Sequence, residues 1–173
     1  MATCALSQDF NLDCRDQVGG LKTVYLIELG NISSITESSG TITAITKATG
    51  KVFRKYQLEL DTSTIEEDGK GNRQNGTFYV EQKGTIVLNK QQTSVRNELL
   101  VLAKSRLVVV GIDNVGNAQL YGRVNGLMLI TGKAAKGTSW GDRNGYTLSL
   151  DGTEVEYAPF LDSATQATLQ TPG

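Results

Sequence analysis

The sequence contains no histidine in 173 residues. That removes the commonest general base and the commonest metal ligand at neutral pH. Cysteine is almost as scarce, with only Cys4 and Cys14. Their spacing suits neither a CxxC redox pair nor a four-ligand zinc site. They either form a local disulfide or stay reduced. Free thiols are the expectation, since a secreted disulfide scaffold of this length carries more cysteine. Charge of one sign is also lacking: 17 basic and 18 acidic residues leave a net charge of -1. No overall field draws the chain to DNA or to an anionic membrane. No apolar run approaches the roughly 20 residues of a membrane span. The opening "MATCALSQDFNLDCRDQVGG" has no basic stretch ahead of an apolar one, so no signal peptide is expected. The chain reads as soluble, made in a cytoplasm and without a membrane partner. Two prolines stand against nineteen glycines, and Thr, Val and Ile are plentiful. That composition favours strands and turns over helices.

Catalytic motifs are missing as well. There is no GxSxG, no SxxK, no Walker A and no GxGxxG after a strand. "DGKGN" from Asp68 resembles the start of a calcium loop, but position 12 of that frame is Tyr79 where a Glu is required. The carboxylates of Glu66, Glu67 and Asp68 lie in a polar stretch where burial would not raise their pKa, and they read as solvated. The expectation is a protein with no metal, no cofactor and no enzymatic activity.

What is present is a β pattern. "LKTVYLIEL" at 21–29 is apolar on both faces, which places it centrally in a sheet. "TITAIT" follows the turn at 38–40. From Lys55 the alternation of Tyr56, Leu58 and Leu60 with Gln57, Glu59 and Asp61 marks a half-buried strand. The segment 62–76 is polar and rich in Gly and Asn, too long for a simple hairpin turn, and is expected to be a long polar loop. "TFYVEQKGTIVLNK" resumes as a strand with Gly84 as a bulge or a close backbone approach. Val95, Leu99, Leu102 and Ala103 share one helical face, predicting a helix over about 93–105 with Thr93 or Ser94 as its cap. Val95, Leu99 and Leu102 are expected in the core. "LVVVGI", a turn at 113–117, "AQLYGRV", an Asn125-Gly126 hairpin, "LMLITG" and the closing "GYTLSLD" complete the pattern. The fold class is mainly β: a sandwich or barrel of about eight strands, one flanking helix, and a loose C-terminal tail. Lys133, Lys136 and Arg143 surround Trp140. Such a loop can stack a nucleotide base, but a plain surface loop with its Trp against the sheet edge is the leading reading. Trp140 is also a candidate interface anchor.

Three stretches carry a resemblance: "CALSQDFNLDCRDQVGGLKTVYLIEL", "NGTFYVEQKGTIVLNK" running into "SVRNELLVLAKSR", and "GDRNGYTLSLDGTE". In this order the chain resembles the major tail tube proteins of tailed bacteriophages, particularly those of Bacteroidetes-type hosts. The resemblance implies a single tail-tube-like domain over 1–173 in the virion, made in the host bacterial cytoplasm. It implies homo-oligomeric, hexameric rings stacked into a tube through which DNA passes without sequence-specific binding. Further partners would be terminator, tape measure, baseplate and sheath proteins. The implied inter-ring loop includes Ile65, Glu66, Glu67, Asp68, Asn72 and Arg73. Glu59, Asp61, Glu66 and Glu67 would be acidic lumen residues. Arg96, Glu98, Trp140, Phe160 and Leu161 would lie at subunit contacts, helped by an N-terminal arm at 1–20 and a C-terminal tail at 158–173. The alternatives are another β-sandwich virion component (tail terminator, baseplate or capsid decoration protein) and a small ligand-binding β-domain using the Trp140 loop.

Overall fold

The computed structural model describes residue 6 and residues 8–173. Cys4, and with it the question of a Cys4–Cys14 bond, lies outside them. The chain runs β1 (Leu21–Glu28), β2 (Ile32–Ser38), β3 (Thr41–Lys47), β4 (Arg54–Gln57), β5 (Thr64–Asn72), β6 (Thr77–Leu88), α1 (Thr93–Leu102), β7 (Leu107–Asp113), β8 (Ala118–Tyr121), β9 (Met128–Ala135), β10 (Gly145–Glu154), β11 (Phe160–Leu161) and α2 (Ser163–Thr168). The strands form a seven-stranded sheet ordered β2-β3-β11-β8-β7-β1-β4 and a four-stranded sheet ordered β5-β6-β10-β9. The expected mainly β sandwich with a flanking helix is the observed class.

β1 and β7 are central and apolar on both faces, and their alternate residues feed two cores. Val24, Leu26, Leu107 and Val109 meet Ile86, Leu88, Tyr146, Leu148 and Leu150 of the smaller sheet. Helix α1 closes on this core through buried Leu102 and partly buried Val95 and Leu99. Ala103 does not share that burial and stays exposed. On the other faces of β1 and β7, Ile27, Val108 and Val110 pack with Ile42, Phe53, Leu120, Leu161 and Leu169.

Several local expectations give way to tertiary context. Within 62–76, residues Thr64–Asn72 are not a loop: they pair antiparallel with β6, from Thr64↔Thr85 to Asn72↔Thr77. The polar sequence hides the strand because only Ile65 and Glu67 turn inward. Helix α1 is capped by the backbone of Gln92 without a side-chain bond, and it ends at Leu102 rather than 105. Asn125-Gly126 does not turn a hairpin; it carries the chain from β8 in one sheet to β9 in the other. Gly126 supplies the positive φ of 76° that the corner needs. Leu127 exchanges two backbone hydrogen bonds of 2.8 Å with Leu107. Buried Glu154 accepts the N–H groups of Val124 and Asn125 at 3.1 and 2.8 Å. Gly84 pairs in unbroken register with both Ile65 and Leu150, so it is a close approach, not a bulge.

The C-terminal tail is docked within its own chain. β11 runs parallel to β3 and antiparallel to β8. Asp162 caps α2 by accepting the Thr165 N–H at 2.7 Å, and those hydrogen bonds hold its carboxyl below the usual range. Leu169 is buried among the apolar residues beyond the helix, and its carbonyl accepts the Phe53 N–H at 3.1 Å. Lys47 donates from Nζ to the carbonyls of Thr168 and Leu169 at 2.6 and 3.3 Å. This neutralises the helix end, while burial pushes the Lys47 pKa down.

Candidate subunit interface

Among the described residues no group of His, Cys, Asp and Glu is arranged to hold a metal. No helix there is long and apolar enough to cross a membrane. Among the described residues every buried side-chain polar atom has a partner.

The four-stranded sheet is open at both edges, β5 and β9. An unpaired edge offers a row of N–H and C=O groups to another strand. The β9 edge exposes Met128 and Ile130, carries Lys133, and leads into a loop with Lys136 and Arg143. The β5 edge carries Glu66, Glu67 and Asp68. The outward row of this sheet pairs Glu66 with Lys83 and Asp68 with Glu81. Lys70 and Lys83 reach Glu81 at 2.5 and 3.1 Å and hold its carboxyl below the usual range.

Glu67 points the other way. Its Oε1 accepts from Gln82 Nε2 and from the Ala158 N–H, both at 2.8 Å. Gln82, almost fully buried, accepts the Gly122 N–H at 2.8 Å through Oε1. One polar network thus ties β5, β6, the β8–β9 corner and the chain after β10. Its geometry gives Glu67 an internal job. Glu59, Asp61 and Glu66 are exposed, with Asp61 at a φ of 57° in the turn before β5.

Beyond Glu67 the β5–β6 hairpin becomes an exposed arm. Tyr157 braces its base: its hydroxyl occupies the place where a Cβ on Gly69 would fall, and its ring sits 6.4 Å from that of Phe78. At the tip, Asn72 Oδ1 accepts the N–H groups of Gln74 and Asn75 at 3.0 and 3.1 Å. Arg73 lies in this turn. Ile65 is at the arm's root, packed against the sandwich core.

The remaining sequence candidates separate. Arg96 and Glu98 are exposed on α1, beside exposed Leu100 and Val101. Tyr56 sits below them, its pKa raised by burial and then by the Glu98 charge. Trp140 does not pack on the sheet edge; it is fully exposed. Asp142 holds this loop by accepting the N–H groups of Thr138 and Ser139, both at 2.8 Å, and those bonds lower its pKa. Phe160 is half-exposed, whereas Leu161 is buried in its own chain's core. Sequence reasoning missed Gln82 and Glu154, buried polar residues in strands whose only signal is a long polar side chain on the inward row.

No protein-family profile matches the chain, and no curated protein does. Two solved structures are similar at low level. A chain in the virion of a native gene transfer agent particle has a TM-score of 0.37 and 13% identity, covering 62% of this chain and 88% of its own. A chain in the tail of an empty gene transfer agent particle, with C6 symmetry, has a TM-score of 0.37 and 12% identity, covering 81% and 94%.

Proposed function

We propose that the protein is a virion structural component whose copies join into rings, and that stacked rings, hexameric as the sequence resemblance implies, form a phage tail tube. The observation that carries this is the four-stranded sheet open at two edges of opposite charge. Pairing β9 of one copy with β5 of the next is a head-to-tail contact, which closes into a ring when the rotation allows. Glu66, Asp68, Glu81 and Asp151 then share with Lys70, Lys83 and Lys133 a polar sheet face that lines the passage. DNA slides along such a face without adhering, because Lys70 and Lys83 are occupied by Glu81 and the remaining carboxylates repel phosphates. The braced β5–β6 arm, with Asn72 and Arg73 at its tip, reaches toward the next ring. Terminator, tape measure, baseplate and sheath proteins are the partners of such a tube.

Negative-stain electron microscopy of the purified chain at rising concentration is expected to show rings or tubes with a central hole. Lys133→Glu is expected to abolish them, and adding Glu66→Lys to restore them. Assembly indifferent to both changes would refute the edge pairing.

A further inference from the structure

The sequence holds three Asn-Gly pairs: Asn75-Gly76, Asn125-Gly126 and Asn144-Gly145. In such a pair the glycine nitrogen can attack the asparagine side chain, because no Cβ on the glycine hinders the bend this needs. The three pairs are identical as dipeptides, and the fold treats them differently.

Two are locked. Asn125 donates from Nδ2 to the Thr153 carbonyl at 2.8 Å, and its N–H is held by buried Glu154. Gly126 is buried at the corner between the sheets, where an added Cβ would meet the Arg106 Cβ at 2.9 Å. Gly145 is buried at the start of β10, opposite Ala135, and lies so close to the Leu88 carbonyl that no Cβ would fit. Bringing either glycine nitrogen onto the preceding side chain requires local opening of the sandwich.

Asn75-Gly76 is free to bend. It lies in the tip of the β5–β6 arm, where residues 71–79 are all exposed. The Asn75 N–H donates to Asn72 Oδ1 at 3.1 Å. Among the described residues no hydrogen bond holds the Asn75 carboxamide or the Gly76 N–H. A Cβ on Gly76 would meet nothing within 4 Å, and its φ of 64° is one that glycine adopts without strain.

We propose that Asn75 is a site of spontaneous deamidation, selected by the fold from three like pairs. The Gly76 nitrogen loses its proton and bonds to Asn75 Cγ. The Cγ–Nδ2 bond breaks, and ammonia leaves with that proton. Water then opens the cyclic imide at either carbonyl. One opening gives aspartate. The other gives isoaspartate, in which the main chain runs through the side-chain carbons and is one atom longer. The step consumes one water, releases one ammonia and needs no oxidant or reductant. The arm's tip exchanges a neutral amide for a carboxylate two residues from Arg73.

The test uses the full chain, kept below assembling concentration at neutral and at mildly alkaline pH, then digested briefly with trypsin. Cleavage places the three pairs in separate peptides, Gln74–Lys83, Val124–Lys133 and Asn144–Gly173, whose conversion is read by mass spectrometry. In the folded chain Asn75 is expected to convert at least about tenfold faster than Asn125 or Asn144, which must first break their contacts. Its rate rises with pH, since the attacking nitrogen must lose a proton. In urea the three rates converge. Comparable rates in the folded chain, or an intact Asn75 where the unfolded chain reacts at all three pairs, would each overturn the inference. The modification does not need the ring reading. Asn75 protected within stacked rings supports a covered arm tip, whereas equal conversion in tubes and free chains refutes that contact and leaves the modification standing.

Discussion

Leu169→Ala tests whether the C-terminal tail belongs to the folded body. Leu169 is 1% exposed and packs with Phe53, Ile42 and Leu161. Truncation removes three carbons from an apolar site. At about 0.8 kcal/mol per buried carbon the transfer loss is about 2.4 kcal/mol. The site is closed by the β3–β11 pairing and the Lys47 bonds, so it relaxes incompletely and a cavity cost adds to this. The expected total is about 2–5 kcal/mol, a large fraction of the roughly 5–15 kcal/mol that holds a domain together. For a chain of this size that lowers Tm by roughly 4–20 °C, read by circular dichroism under reversible conditions. Leu100→Ala is the control: that side chain is 59% exposed on α1, and its loss is expected to stay within about 0.5 kcal/mol. Equal melts for wild type and Leu169→Ala would refute the docked tail and return 158–173 to the role of a free clamp.

Two further outcomes concern buried polar groups. Gln82→Leu keeps the volume but strands the Gly122 N–H, costing about 1–3 kcal/mol in urea unfolding; Gln82→Glu places a second carboxyl beside Glu67 and is expected to be less stable than wild type at neutral pH and to recover in acid, where one proton relieves the repulsion. Tyr121 has its pKa raised to about 12, first by burial and then by the charges of Glu67 and Asp113, so the folded state prefers the neutral phenol. Its contribution is present below the unfolded value of about 10 and is lost as pH rises through about 12, at most about 2.7 kcal/mol. Tyr121→Phe is expected to flatten this alkaline loss, and a slope unchanged in the Phe variant would refute the assignment.

The central strands were legible because their signal is redundant. In "LKTVYLIE" the run Val24–Ile27 and in "LVVVGID" the run Leu107–Val110 are apolar on both faces, so the strand shows in the sequence whichever face is inward. β5 was illegible for the opposite reason: its nine residues offer one apolar side chain, and its inward row is completed by Glu67. A carboxylate can occupy that position only because Gln82, its partner across the β5–β6 hairpin, and the Ala158 N–H, 91 residues along the chain, both reach it. The same nonlocality hid the tail. "FLDSATQATL" reads as a loose polar end until Ile42 and Phe53 supply the surface for Leu161 and Leu169. The surface candidates follow this logic too. Trp140 was legible as a residue of interest but not as an exposed one, since only the Asp142 bonds to Thr138 and Ser139 reveal that its loop is held by its own carboxylate. Partners recruited from far along the chain set which polar residues go inside, so an acidic residue's position in a polar run does not decide whether it meets solvent: Glu66 and Glu67 are neighbours in sequence, and one faces water while the other ties together the interior.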